Sequence, residues 1–277
     1  MPERHRDRIL LLLSPTAAVA LSFWVMSITS APSAAFALQA AALVVSGALG
    51  VVLARRRPAP TRGATQWWAL AAVATLAIPL LFSSNDGPAR WMSLGGARVY
   101  VAAVVLPPLL ALLRRNAAPA AWHHAILIAA ALVLVLQPDA AQATAFCVGA
   151  LTLLPRLPGS TLVRLATGCV LVLSAIITWA QPDPLVPVPY VEGVFVVALA
   201  ASPWMFAVAL CAAIAPVAAL LSVARTGEPA AGAVAAYYTT ILLLAPLQVT
   251  PVPLLGFGAG PVLGYGLAAG LLSQRTS

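Results

Sequence analysis

Long apolar runs, separated by short polar or proline-rich turns, follow one another along the whole chain of 277 residues. A helix needs ~20 mostly apolar residues to cross the hydrocarbon core of a bilayer. The pattern therefore predicts an all-α, polytopic integral membrane protein, with about ten transmembrane helices in a single membrane domain over 1–277. The predicted spans lie near 9–29, 34–54, 66–83, 98–113, 121–136, 141–154 and 161–180, within 191–224, and near 229–247 and 254–273.

Three of these runs need separate interpretation. The run 191–224 is too long for one upright helix, and Ser202-Pro203 interrupts it. We therefore divide it into a short re-entrant or interfacial piece and a full span after Trp204. The run 141–154 is short for a span. The run from Ile9 resembles the core of a signal peptide, but it continues for about twenty residues without a small-residue cleavage site, so we expect a retained first span.

Composition agrees with lipid as the main solvent. Hydrophobic residues make up 62% of the chain, charged residues make up 8%, and the mean hydropathy is +0.97. Soluble domains carry about 25% charged residues, because their surfaces face water. The chain has too little charge for such a surface, which excludes a soluble enzyme.

The basic residues predict the orientation. All 15 are arginines, and they fall in short clusters between the apolar runs. With the N-terminus inside, only Arg90 and Arg98 lie on the outer side, which fits the rule that cytoplasmic loops carry the positive charge. We therefore predict that both termini are cytoplasmic. This distribution is typical of topology signals, so we expect no nucleic-acid partner despite the net charge of +8.

Three segments on the predicted outer side carry recognisable motifs. They are GPARWMSLGG (87–96), LQPDAAQATAF (136–146) and the run LAPLQVTPVPLLGFGAGPVLGYGLAAGLL (244–272). They resemble, in order, G-A-R-R-W-I-x-L-G, Q-P-D-L-G-T-A and the closing L-P-V-T-G-L-P-L-P-F-x-S-Y-G-G-S run of the SEDS family of FtsW, RodA and SpoVE. These are polytopic proteins of the bacterial cytoplasmic membrane that polymerise peptidoglycan glycan strands from lipid II.

The chain also departs from the family pattern. The family's Q-P-S-E-x-x-K would fall at Tyr100 to Leu106, where none of it is present. The long outer loop before the family's eighth span is reduced to QPDPLVPVPY (181–190). Laid against the family's H-T-D-F-I-F-A, the segment YVEGVFV (190–196) places Glu192 at the proposed catalytic aspartate. The resemblance therefore implies a divergent and shortened relative, with Glu in place of Asp.

The resemblance implies roles for several outer residues. Glu192, with Asp183 as a second candidate, would be the base that deprotonates an attacking sugar hydroxyl. Arg90, Trp91 and Asp139 would contact the lipid-linked substrate. Each has a structural alternative: Glu192 marks the start of a helix, and Asp139 caps one after Pro138.

Arg90 has its own alternative, in which it pairs with Asp86 or another outer acid and packs the loop. The glycines of the run 256–266 do not follow a strand, so they indicate close helix packing or a bent span entry, not a phosphate loop. The remaining motif residues that the resemblance implies are structural: Gly87, Gly95, Gln137, Pro138, Thr250, Pro253, Gly258 and Gly260.

Neither the histidines nor the cysteines predict a metal site or a cofactor. His123 and His124 are adjacent, and neighbours on a helix point about 100° apart. Cys147, Cys169 and Cys211 all lie inside apolar runs without a CxxC spacing, which is typical of small buried hydrophobic residues.

Three functional hypotheses follow. The first is a divergent FtsW/RodA/SpoVE-like protein of cell-wall biogenesis, division or shape, with weak or no polymerase activity and a transpeptidase or another cell-wall membrane protein as partner. The second is an active lipid II-dependent glycosyltransferase with a reduced loop. The third is a transporter of lipid-linked precursors, which the scarcity of polar residues within the spans disfavours. In all three hypotheses, membrane lipids are partners of the chain.

Overall fold

The computed structural model describes residues 9–55, 62–82, 89–94, 97–113, 119–182 and 186–274. Within these ranges the chain forms eleven α-helices and one two-stranded antiparallel hairpin. The helices are α1 Pro15–Ile28, α2 Ser33–Arg55, α3 Arg62–Leu81, α4 Val101–Leu112, α5 Ala120–Leu136, α6 Ala140–Leu153, α7 Thr161–Trp179, α8 Val194–Ala201, α9 Pro203–Arg225, α10 Pro229–Leu244 and α11 Ala259–Leu272. The strands of the hairpin are β1 Trp91–Leu94 and β2 Ala97–Tyr100.

The helices have the lengths and compositions of a membrane bundle. Six of the described helical segments are long and apolar enough to cross a bilayer: Ile9–Ile28, Ser33–Arg55, Gly63–Leu81, Thr161–Trp179, Pro203–Arg225 and Pro229–Leu247. Three shorter apolar helices, α4, α5 and α11, join them in the bundle. The predicted all-α polytopic fold of about ten transmembrane helices is confirmed.

The chain breaks its longest apolar run at Ser202. This residue has an extended backbone, and its Oγ accepts the N–H of Met205 at 3.1 Å, so it caps α9. Pro203 occupies the first turn of α9, where a missing N–H leaves no hydrogen bond unmade. The preceding piece, α8, has only eight residues and packs against α9.

The hairpin is the main departure from the predicted spans. We expected a helix from about residue 98, but residues 97–100 form β2, and α4 begins at Val101. Trp91 lies opposite Tyr100 and Ser93 lies opposite Arg98. In the sequence, Gly95-Gly96 separates two short runs that contain aromatic residues. This pattern indicates a hairpin, and the prediction of a helix from residue 98 did not take it into account.

Helix α11 lies between α2 and α4 at van der Waals contact distances that only glycine permits. A Cβ at Gly260 would lie 2.6 Å from the carbonyl oxygen of Tyr100, and one at Gly264 would collide with the carbonyl of Ala103. On the α2 side, a Cβ at Gly270 would lie 2.8 Å from the Gly50 carbonyl oxygen. Small residues let membrane helices approach closely, so these glycines set the position of α11 and of the loop before it.

Candidate functional site

Four segments meet around a cleft at the end of the bundle that carries the hairpin. They are the hairpin, the turn between α5 and α6, the segment 186–193 before α8, and the segment 247–258 before α11. The cleft has a volume of about 130 Å³. Its lining includes Arg90, Trp91, Tyr100, Glu192, Gln248 and Pro251. The three sequence motifs and the Glu192 segment thus converge at one place.

Arg90 fastens the hairpin to the α5–α6 turn. Its residue surface is only 4% exposed, and its Nε donates to the Gln137 carbonyl at 3.5 Å. One of its terminal nitrogens donates to the Pro138 carbonyl. The same residue lines the cleft. Arg90 therefore brings a cation to the wall of the cleft.

The aromatic wall of the cleft is fixed through Tyr100. The rings of Trp91 and Tyr100 stack with centroids 4.8 Å apart and planes inclined by 21°. The Tyr100 hydroxyl donates to Oδ2 of Asp139 at 2.6 Å. The orientation of Trp91 thus depends on a hydrogen bond that reaches behind the hairpin into the bundle.

Asp139 lies behind this wall and not in the cleft lining. It is fully buried, and its Oδ1 accepts the backbone N–H of Gln142 at 3.2 Å, which caps α6. The amide oxygen of Gln142 accepts the hydroxyl of Tyr237, so the network continues to α10. Asp139 therefore performs the capping role of the structural alternative, and a contact with substrate stays a prediction.

The Gln137 side chain also faces the interior. Its Nε2 donates to the carbonyl of Leu76 in α3 at 2.5 Å. Its Oε1 is buried and, within the described parts of the chain, has no hydrogen-bond partner. This residue ties α3 to the turn that Arg90 holds from the other side.

Glu192 lies in a tight turn directly before α8. Its Oε2 accepts the N–H of Val188 at 2.9 Å, and the Val188 carbonyl accepts the N–H of Glu192 at 3.0 Å. The residue is half-buried and lines the cleft. The carboxylate therefore stabilises its own turn, as the structural alternative expects, and it also faces the cavity that Arg90 and Trp91 share. Its role as a base stays a prediction.

The closing run is joined to the Glu192 segment through the backbone. Val252 N–H donates to the Val191 carbonyl at 3.2 Å, and Phe257 N–H donates to the Tyr190 carbonyl at 2.7 Å. Gln39, from α2, donates to the Gly256 carbonyl at 3.1 Å and accepts the N–H of Gly258 at 3.2 Å. The two loops therefore behave as one structural unit, anchored by a fully buried glutamine.

The other predicted motif residues take structural positions or lie outside the described residues. Thr250 and Pro253 are buried, and the Thr250 hydroxyl has no hydrogen-bond partner in the part of the chain that the structure describes. Gly87, Gly95 and Asp183, as well as Asp86, lie outside the described residues.

The histidines take part in helix packing at the opposite end of the bundle. His124 Nδ1 is 2.9 Å from the Thr167 hydroxyl, and its Nε2 is 3.0 Å from the Pro158 carbonyl oxygen. His123 Nδ1 is 3.2 Å from the Pro119 carbonyl oxygen. Among the described residues, no group of three or more His, Cys, Asp or Glu could hold a metal ion.

Sequence reasoning missed the residues that support the cleft. Tyr100, Gln142, Tyr237 and Gln39 each donate or accept a hydrogen bond that connects separate helices or loops. The sequence could have indicated Gln39, because it is the only amide side chain in the predicted span 34–54. Polar residues inside membranes face protein interiors. Nothing in the sequence indicated the hydrogen bond between Tyr100 and Asp139, since the two residues are 39 positions apart.

The comparisons with known proteins identify the fold. No protein-family model matches the chain, and no curated protein matches it significantly. Among solved structures, an Asp-to-Ala mutant of the rod shape determining protein RodA from Thermus thermophilus has a TM-score of 0.64 and 20% identity, over 95% of this chain and 94% of that chain. A second RodA structure from that organism gives 0.59 and 19%, over 95% and 94%.

A third similar structure comes from a peptidoglycan synthase complex that coordinates polymerization and crosslinking. Its chain gives a TM-score of 0.63 and 20% identity, over 95% of this chain and 96% of that chain. The likeness thus covers nearly the full length of both proteins in each case. The chain therefore has the fold of RodA, and the resemblance to the SEDS family that three sequence motifs predict is confirmed at the level of the fold.

Proposed function

We propose that this chain is a SEDS-type protein of peptidoglycan biogenesis in the bacterial inner membrane, with both termini in the cytoplasm. Its cleft would bind the head group of lipid II at the outer surface, with weak or no polymerase activity of its own. The observation that carries this proposal is that Arg90 and Trp91, predicted from one motif, line the same cleft as Glu192, predicted from another segment. The shared fold with RodA supports the proposed pathway.

The chemistry of the cleft suits a pyrophosphate-linked sugar. A guanidinium pairs well with phosphate oxygens, because it is always charged and presents its N–H groups in a planar fork. Arg90 is mostly buried, so its charge is less screened than that of an exposed arginine. Trp91 adds a rigid aromatic surface beside it, whose ring is fixed by stacking on Tyr100.

We propose weak activity because of the hydrogen bond and the side-chain length of Glu192. A general base must have its carboxylate within hydrogen-bond reach of the hydroxyl that it deprotonates. The Glu192 carboxylate accepts the Val188 N–H instead, within the turn that replaces the family's long loop. Glu also carries one methylene more than the family's Asp, and a displacement near ~1 Å can reduce a rate about 100-fold.

One observation favours the second candidate, an active glycosyltransferase. Glu192 and Arg90 line the same cavity, so a base and a cation for the departing pyrophosphate would be present together. In this case the turn would release the carboxylate when substrate binds.

Binding of lipid II to the purified full-length protein tests the proposal first. We expect Arg90→Gln to weaken binding about tenfold, the effect of losing one charge-assisted contact. Arg98→Gln is the matched control, because Arg98 lies in the same hairpin but is exposed and outside the cleft lining. Equal losses in both variants, or none in Arg90→Gln, would contradict the proposed site.

Polymerisation assays separate the two candidates. Under the first, lipid II yields no or little glycan polymer with the protein alone, and Glu192→Gln changes nothing. Under the second, polymer forms and Glu192→Gln abolishes it. Glu192→Asp, which restores the family's residue, would then show whether the extra methylene limits the rate.

We also propose a transpeptidase as partner, because one structure with this fold belongs to a synthase complex for polymerization and crosslinking. Co-purification of the full-length chain with a monofunctional transpeptidase from the same cell tests this partner. Recovery of the chain without any such enzyme from gently solubilised membranes would contradict it.

A further inference from the structure

A large apolar groove lies away from the cleft, where α6 ends and α7 begins. Its volume is about 660 Å³, within the range of ligand pockets in proteins. Leu151 and Leu154 form one wall, and Leu165, Val172 and Leu173 of α7 form another. Only Thr161 and Arg164 interrupt this apolar lining, and both lie in the first turns of α7.

The groove has the length of one half of a bilayer. From Thr161 to Leu173, α7 rises about 18 Å at ~1.5 Å per residue, and half of a hydrocarbon core is roughly 15 Å thick. The polar end of the groove therefore lies near the membrane surface, and its apolar end lies near the middle of the bilayer. An acyl chain that starts at the surface would follow this path.

The depth of the groove depends on Gly168. This residue lies midway along the lining, where α7 offers no side chain. A Cβ at this position would be 3.4 Å from Leu151 Cδ2 and 3.5 Å from Leu154 Cδ2, which are ordinary contact distances. A methyl group would therefore fit there, whereas a longer side chain would fill the groove.

The charged side chain in the groove lining is an arginine at its polar end. Arg164 Nε donates to the Leu157 carbonyl at 3.1 Å, and within the described residues its terminal nitrogens make no hydrogen bond. Arg156 is exposed on the adjoining turn. The sequence contains no acid between Asp139 and Asp183. The N-terminus of α7, with its partial positive charge, lies at the same place and adds to the attraction for an anion.

We propose that this groove binds one anionic phospholipid of the cytoplasmic leaflet. Its acyl chain would lie along Gly168, and its phosphate would contact Arg164. Basic pockets between transmembrane helices on the cytoplasmic side recognise lipids of this class, because the charge selects the head group while the groove holds the chain. The assignment to the cytoplasmic leaflet depends on the proposed orientation of the chain. The lipid site itself does not depend on that orientation.

Native mass spectrometry of the full-length protein in detergent tests the head group. Phosphatidylglycerol and phosphatidylethanolamine with the same acyl chains are added separately. We expect about tenfold stronger retention of one phosphatidylglycerol, and loss of this preference in Arg164→Gln. Arg98→Gln, an exposed arginine at the opposite end of the bundle, should keep it. Equal retention of both lipids, or an unchanged preference in Arg164→Gln, would overturn the proposal.

A second pair of variants tests the groove without changing any charge. Gly168→Leu should reduce retention of phosphatidylglycerol at least tenfold, and Gly168→Ala should retain it, with both unfolding at the temperature of the unmodified protein. If Gly168→Leu kept the lipid but weakened association with a partner membrane protein, the groove would be a helix-docking surface and the lipid site would be wrong. The assay uses detergent and therefore does not depend on the orientation or on binding of lipid II.

Discussion

Asp139 shows how one buried carboxylate can organise the cleft without touching it. One oxygen caps α6 and the other accepts the Tyr100 hydroxyl, so the same group fixes a helix start and the aromatic wall. A buried charge is tolerated only when hydrogen bonds or ion pairs replace the lost water. Both observed bonds serve this purpose at a residue with no exposed surface.

We expect Asp139→Ala to destabilise the protein by about 2–4 kcal/mol, because it removes a cap and leaves a buried hydroxyl unsatisfied. Asp139→Asn keeps one acceptor oxygen, enough for the Gln142 N–H, and places an amide N–H opposite the Tyr100 hydroxyl oxygen, so it should lose less. The apparent unfolding temperature in detergent, followed by tryptophan fluorescence, measures both variants. If the two variants unfolded at the same temperature, hydrogen bonding would not be what makes this residue important.

At the residue scale, local chemistry was predictable and long-range pairing was not. Pro138-Asp139 before an apolar run indicates a helix cap, because a proline and a capping acid are typical of helix starts. That Asp139 also accepts from Tyr100 depends on how the hairpin folds over the bundle. The same holds for Arg90: its motif predicted either substrate binding or packing of the loop, whereas its carbonyl partners came only from the structure.

Among the elements, α11 depends most on its neighbours. Its glycines lie against backbone atoms of α4 on one side and α2 on the other. The glycine spacing in the sequence indicated close packing, but it could not indicate the partner helices. The predicted span starts near 254, whereas helix α11 begins at Ala259. The residues before it are not helical, and the N–H groups of Phe257 and Gly258 donate to Tyr190 and Gln39 instead.

The glycine contacts of α11 predict a strong positional effect. A Cβ at Gly264 would collide with the Ala103 carbonyl, so Gly264→Ala should push α11 from α4 and destabilise the protein by about 1–3 kcal/mol. Gly47→Ala is the control, because Gly47 lies within α2 and has no atom within 4 Å of its would-be Cβ. It should be neutral or stabilising by ~0.5–1 kcal/mol. Similar unfolding temperatures for both variants would contradict this account of α11.

For the whole molecule, the apolar runs and the arginines predict different things. The apolar runs predict the all-α membrane fold, because a helix makes all its backbone hydrogen bonds internally and can therefore cross lipid. They missed the hairpin, which is too short to change the average hydropathy of its neighbourhood. The arginines predict which end of the bundle faces the cytoplasm. Fold alone leaves this open, because the same bundle can insert in either direction.

Cysteine accessibility in spheroplasts therefore tests the orientation directly. Cys147, Cys169 and Cys211 are first replaced by alanine. Val186→Cys then places a thiol at an 83% exposed position beside the cleft, and Thr226→Cys places one in the exposed turn after Arg225. Because arginine-bearing turns stay in the cytoplasm, an impermeant maleimide should label only the first in intact spheroplasts and both after permeabilisation. The opposite pattern would place the cleft inside the cell, where it could not meet lipid II at the outer surface.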